Sequence, residues 1–256
     1  LFRSRAQWLQ SSTTAQADAA GQLRRQAAQT GRRALLKVLY QGDNQDGSAT
    51  LEDIDAGFRN DTGFVNQSGV RSVVLTHSRG RQQVGPFNEF WFNFHFDEVQ
   101  DKATGLRVSS DPFVGLWMTA AHNLEASVEL HADSTLRTAA DAPLLHQHYL
   151  STQISITPAT WAPLLTLSGR IGRIADVAAQ RVRTGGDVHL SLATRPAARL
   201  EFEPSWDMAW AQRDGQRTYR ENALQVLAVW HFDARQSLRA IVQLLGFGLP
   251  RLLDGH

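Results

Sequence analysis

From about Ala34 onward the chain alternates apolar and polar residues with a period of two, which predicts strands whose two faces meet unlike surroundings. In residues 88–97, Phe90, Phe92, Phe94 and Phe96 share one face, while Glu89, Asn93, His95 and Asp97 share the other. A helix would scatter those four phenylalanines around its circumference. The same rule sets Leu124, Ala126, Val128 and Leu130 against Glu125, Ser127, Glu129 and His131. Val188, Leu190 and Leu192 alternate with Asp187, His189 and Ser191. Leu200, Phe202, Trp206, Met208 and Trp210 alternate with Arg199, Glu201, Glu203, Ser205 and Asp207. The last strong stripe is Leu224, Val226, Ala228, Trp230 and Phe232, with Leu227 and Val229 blurring its opposite face. The pattern predicts roughly twelve strands of about 9–14 residues, longer than the ~5–6 usual in soluble sheets.

Alternation alone reads the same for an apolar exterior around a polar lumen as for an apolar core under a polar surface. Two features favour the first. Tight turns are expected near residues 121–123, 158–160, 195–197 and 233–235, with longer polar stretches between them around 133–141, 176–185 and 213–217. That asymmetry suits an outer-membrane barrel, with short turns on one side and longer loops on the other. Trp117, Trp161, Trp206, Trp210, Trp230 and Tyr219 are expected near strand ends, as in an interfacial aromatic belt. The fold class expected is all-β: an antiparallel up-and-down transmembrane β-barrel over residues 34–247, followed by a tail at 248–256. Residues 1–33 read as a first strand over 2–12, then an Ala-, Gln- and Arg-rich stretch that is either a polar hairpin loop or an exposed helix.

Composition narrows this further. Mean hydropathy is negative and no run of about 18 apolar residues occurs, which argues against membrane helices but not against a barrel, where only every second residue must be apolar. The net charge of +1 offers no basic field for nucleic acid. The absence of cysteine removes disulfides, thiolate metal sites and cysteine nucleophiles together. The chain opens on Leu1 with no basic-then-apolar leader, which reads as a mature chain or a fragment.

Three segments carry a resemblance. Residues 57–65, Gly-Phe-Arg-Asn-Asp-Thr-Gly-Phe-Val, are one; Arg195-Pro196 with Arg199-Leu-Glu201 are the second. The third runs from Thr218-Tyr-Arg-Glu221 through Val229-Trp-His-Phe232 to Ser237-Leu-Arg239 and Gln243. Over residues 7–243 the chain resembles the C-terminal barrel of a largely uncharacterised family of Gram-negative outer-membrane proteins. Full-length members carry an N-terminal domain like a family 9 carbohydrate-binding module. The chain departs from the pattern in having no such domain, and in stopping after 244–256 where the family continues into further strands. The resemblance therefore implies either an incomplete barrel or one closed with fewer strands. It also implies an outer-membrane location, lipid as a partner, and glycans or other small solutes as cargo.

Several clusters suggest chemistry. Residues 42–47 have the look of a calcium loop, but Gly42 stands where the first carboxylate is needed, so a turn is expected. Asp187, His189 and Ser191 form the most enzyme-like cluster, yet side chains two apart on one strand stand ~6.5–7 Å apart at the backbone, too far for a serine and its base. His146 and His148 offer two metal ligands without an identifiable third. The carboxylates Glu89, Asp97, Glu125, Glu129, Glu201, Glu203 and Asp207, with Arg170, Arg199 and Arg239, are expected to line the lumen. No P-loop, nucleophile elbow or dinucleotide fingerprint occurs, and no cofactor is expected. The leading expectation is a passive channel or uptake component. The alternatives are a membrane-associated hydrolase, a plugged anchoring barrel and a soluble β-barrel or sandwich.

Overall fold

The computed structural model describes residues 1–17, 23–59, 67–213 and 216–248, with side chains described outside 13–29, 213–219 and 247–248. Fourteen strands form one sheet of antiparallel neighbours, and no helix occurs among the described residues. They are β1 (Phe2–Ala17), β2 (Leu23–Gln41), β3 (Gln45–Ile54), β4 (Val70–Val84), β5 (Phe87–Asp101), β6 (Arg107–Ser110) and β7 (Phe113–Ala120). β8 (Leu124–Leu136), β9 (Leu145–Ile156), β10 (Leu164–Asp176), β11 (Arg181–Ala197), β12 (Leu200–Arg213), β13 (Gln216–His231) and β14 (Ser237–Gly248) follow. The sheet keeps chain order, and β6 and β7 share one place between β5 and β8. Asp111-Pro112 separates them, because Pro112 has no N–H to give the ladder.

Fourteen strands replace the expected twelve, and their lengths run from 4 to 19 residues. Residues 13–17 and 23–33 are strand rather than exposed helix or long loop, since β1 and β2 pair from Phe2↔Tyr40 to Ala17↔Leu23; residues 18–22 lie outside the described residues. The expected alternation of turn lengths is also revised. Residues 176 and 181–185 are strand, as are 213, 216 and 217, because β10 pairs β11 out to Asp176↔Arg181 and β12 pairs β13 out to Arg213↔Gln216. Residues 195–197 end β11, and the turn falls at 198–199. The longest connections are 55–69 and 137–144, and residues 42–44 make the expected turn, with Gly42 N–H donating to Gln45 O at 2.8 Å.

The chain divides into two compact units, Leu1–Arg79 with Phe94–Pro112 and Asp133–Leu144, and Gly80–Asn93 with Phe113–Ala132 and Leu145–His256. In the second unit, antiparallel register sorts the side chains into rows. Ile154, Leu167, Leu190, Trp206, Leu224 and Leu244 stand opposite one another across β9 to β14. One residue along every strand, Ser155, Thr166, Ser191, Ser205, Gln225 and Gln243 form an equally continuous row on the other face. Direct partners share a face, so the sheet has one apolar and one polar side.

The first unit repeats the rule, with Ala6, Leu36, Leu51 and Val73 in one apolar row and Gln7, Leu35, Glu52 and Ser72 in the next. The apolar side is not a core. Leu130 is 50% exposed, Ile171 56% and Leu244 62%, and among the described residues no large side chain is completely buried.

Candidate functional site

The polar side is where chemistry collects. In the second unit, Arg170 on β10 pairs with Asp187 on β11 at 3.0 Å, and His189 Nδ1 meets Asp207 on β12 at 2.6 Å. Each pair is set by register, since Arg170↔Asp187 and His189↔Asp207 are direct cross-strand partners. Ser191 shares its hydroxyl hydrogen bond with Thr166 on β10. The three residues singled out for catalysis thus point to one side, but Asp187 and Ser191 are engaged by β10 and His189 by β12, so they form no relay with one another. Asp187, His189, Asp207 and Glu221 border a shallow hollow in this surface.

Further along the same side, Trp117 on β7 donates its indole N–H to Glu125 on β8 at 2.9 Å. Trp91 on β5 does the same to Glu89 at 3.0 Å. His131 stacks on Tyr149 with centroids 4.2 Å apart, with Phe113 at 5.0 Å on its other partner strand. Glu129 lies 3.4 Å from His131 Nε2 and accepts the Ser151 hydroxyl at 3.1 Å. A Cβ added to Gly80 would meet Trp91 Cδ2, Cε2 and Cε3 at 2.3–2.7 Å, so the indole lies flat over a glycine that alone leaves room for it.

The expected aromatic belt is therefore corrected at Trp117, which stands on the polar side opposite Ser127 while Leu116 and Met118 take the apolar side. Trp206, Trp210 and Trp230 do occupy apolar rows, Trp206 in mid-strand, and Trp161 is exposed in the β9–β10 connection. The Tyr219 side chain lies outside the described residues.

Of the remaining lining candidates, Glu201 pairs with Arg195 at 3.0 Å, and Glu203 and Arg239 stand opposite Leu227 and Val229 on the polar side. Asp97 sits on β5 in the first unit, 3.9 Å from His95. Arg199 is not on a strand face but in the exposed β11–β12 turn, where its carbonyl accepts His231 N–H at 2.8 Å. His148 contacts the Ala132 carbonyl and faces the apolar row with Leu150. No group of three potential metal ligands, with His146 or otherwise, occurs among the described residues.

The first unit holds a feature that the residue pattern did not single out. Leu9, Ile54 and Val70 are apolar residues on the polar side, in one row with Arg33. Phe58, 5% exposed, seats on Ile54 and Val70, with Leu9 and Val99 around them. The start of the 55–69 connection is thereby folded back over β2, so closely that a Cβ on Gly31 would stand 2.0 Å from Phe58 N. Arg59 N–H donates to Ser11 Oγ at 2.9 Å, and Lys102 Nζ bridges Asp53 and Asp55, the latter at 2.6 Å. Of the resembling segment at 57–65, residues 60–65 lie outside the described residues.

The Lys102 hydrogen bond holds the Asp55 carboxyl below the usual carboxylate range, and Asp53 and Asp55 together raise the Lys102 ammonium. A depressed carboxyl contributes stability above its unfolded value and loses it as pH falls through the folded one. A raised ammonium contributes below its unfolded value and loses it as pH rises through the folded one. The clasp should therefore hold across neutral pH and release at both extremes. Limited proteolysis of residues 55–59 should rise below about pH 3.8, the unperturbed carboxyl value, and Lys102→Met should give that accessibility at pH 7. Unchanged cleavage in Lys102→Met would show that Phe58 alone holds the segment.

Comparison with protein-family models, with curated proteins and with solved structures gives no match.

Proposed function

We propose that this chain is the membrane-spanning part of a Gram-negative outer-membrane β-barrel, and that its polar side lines a passage for small polar solutes. The observation that carries the reading is the exposure of the apolar rows. A soluble sheet of this size would cover Leu36, Leu51, Phe92, Leu130, Ile171 and Leu190 with a second layer, whereas these side chains, on the apolar faces of β2, β3, β5, β8, β10 and β11, are exposed. Lipid satisfies such a surface, provided that every backbone group is paired within the sheet. The opposite side keeps Ser, Thr, Gln and ion pairs in register, as a wet lumen requires.

The fold-back of Phe58 favours a second reading, a passage narrowed or plugged at that level. The two are separated by reconstitution. The first reading expects extraction only with detergent, heat-modifiable migration and measurable conductance in planar bilayers. A plugged barrel gives the first two without conductance. A chain that stays monomeric in water without detergent overturns the membrane reading and both passages with it.

A further inference from the structure

Within the second unit, the polar sides of β5, β7, β8 and β9 carry Glu89, Glu125 and Glu129 but no lysine or arginine. The first cation met across the sheet is Arg170, opposite Ser151, and its guanidinium is paired with Asp187. Among these carboxylates lie Trp91 and Trp117, on the neighbouring strands β5 and β7. Both indoles are half-buried and held by their N–H groups, so each ring is fixed in place on the polar side. A hydrogen bond from an indole N–H to a carboxylate also pushes electron density into the ring. Electron-rich rings bordered by uncompensated carboxylates attract a positive charge on an apolar body through the ring quadrupole and the Coulomb term together.

We propose that Trp91 and Trp117, with Glu89, Glu125 and Glu129, form a binding subsite for organic ammonium ions on the solute-facing side. The assignment rests on the passage reading for its biological sense. The binding itself needs no conduction. Neutral sugars also stack on indoles, but hydroxyl recognition is served by an amide as well as by a carboxylate, and the negative charges of Glu89 and Glu125, which accept only indole N–H groups, add nothing to it. An ammonium ion needs the charge. This difference makes Glu125→Gln the discriminating variant, because glutamine can still accept the Trp117 N–H at its Oε1 while removing the charge.

The test is a titration of the detergent-solubilised chain with tetraethylammonium, followed by tryptophan fluorescence, beside a parallel titration with maltohexaose. Saturable quenching by tetraethylammonium is expected, weakened about tenfold in Trp117→Ala and in Glu125→Gln, and unchanged in the apolar-face control Trp230→Ala. Circular dichroism identifies any variant that fails to fold; Glu125→Gln, the mildest change, then carries the test. Saturable binding of maltohexaose with none of tetraethylammonium overturns the assignment in favour of a sugar, and equal affinity in wild type and Glu125→Gln overturns it outright. Conductance without ammonium binding refutes this subsite and leaves the passage standing. Binding without conductance does the reverse.

Discussion

Leu190→Arg is expected to lose about 2–4 kcal/mol of folding stability in lipid vesicles if the apolar row faces lipid as proposed, because an arginine at mid-depth would have to be dragged out of hydrocarbon. Leu190 lies in the middle of β11, between Leu167 and Trp206 in the apolar row. The paired control is Ser205→Arg, one row away on the polar side beside Ser191, where the new guanidinium meets water and should cost no more than ~1 kcal/mol. Urea titration of both variants in vesicles reads the difference. If the apolar row instead faced water, an arginine at Leu190 would be nearly neutral. Equal stability of the two variants would therefore remove the lipid from the account.

The second large effect concerns Phe58. Truncating a well-buried phenylalanine costs about 3–5 kcal/mol, and the cluster of Leu9, Ile54, Val70 and Val99 is too small to close over the loss. Because Phe58 lies on a connection rather than on a strand, Phe58→Ala should release residues 55–59 while leaving the strands paired. Hydrogen exchange should show it as lost protection at Phe58 N–H, which donates to Asp55 O at 3.0 Å, with β3 and β4 unchanged. Gly31→Ala approaches the same segment from below, since its methyl would occupy the space of the Phe58 backbone. Both variants should open the same amides. If the passage is narrowed at this level, both should also raise conductance.

Much of the sheet was readable from residue order alone, and the reason is physical. Where one face meets apolar surroundings and the other meets water, parity is enforced at every step, as in Phe90 to Phe96 or Val188 to Leu192. The first strand was legible over 2–12, but its continuation to Ala17 and the start of β2 at Leu23 were not, because the apolar stripe is diluted by Ser4, Ala6 and Ala34 and both strands run on through an Ala- and Gln-rich stretch where no stripe is needed. Trp117 was misplaced for a different reason. Its neighbours Leu116 and Met118 are apolar, so the segment looks uniformly greasy, although parity with Val114 already assigns the indole to the other side.

The pairing of His189 with Asp207, rather than with Asp187, depends on how β11 slides along β12. No local pattern encodes that offset. Nor does composition reveal that Phe58 turns back to cover Leu9, since such contacts are made between parts of the chain far apart in sequence.

The last strand of the order behaves unlike the others. On β14, Leu238, Val242 and Leu244 take the apolar side, while Ile241 and Leu245 stand on the polar one, where their register partners on β13 are Leu227 and Ala223. All five β14 side chains are more than half exposed. Wherever it meets water, a stretch so rich in branched and aliphatic residues, interrupted only by Arg239 and Gln243, is a ready seed for cross-β self-association. If the chain is the outer-membrane barrel proposed above, crossing an aqueous compartment becomes a race between insertion and aggregation. On that reading the chain would depend on a holding chaperone in the cell, and in the test tube on detergent being present before the denaturant is diluted away.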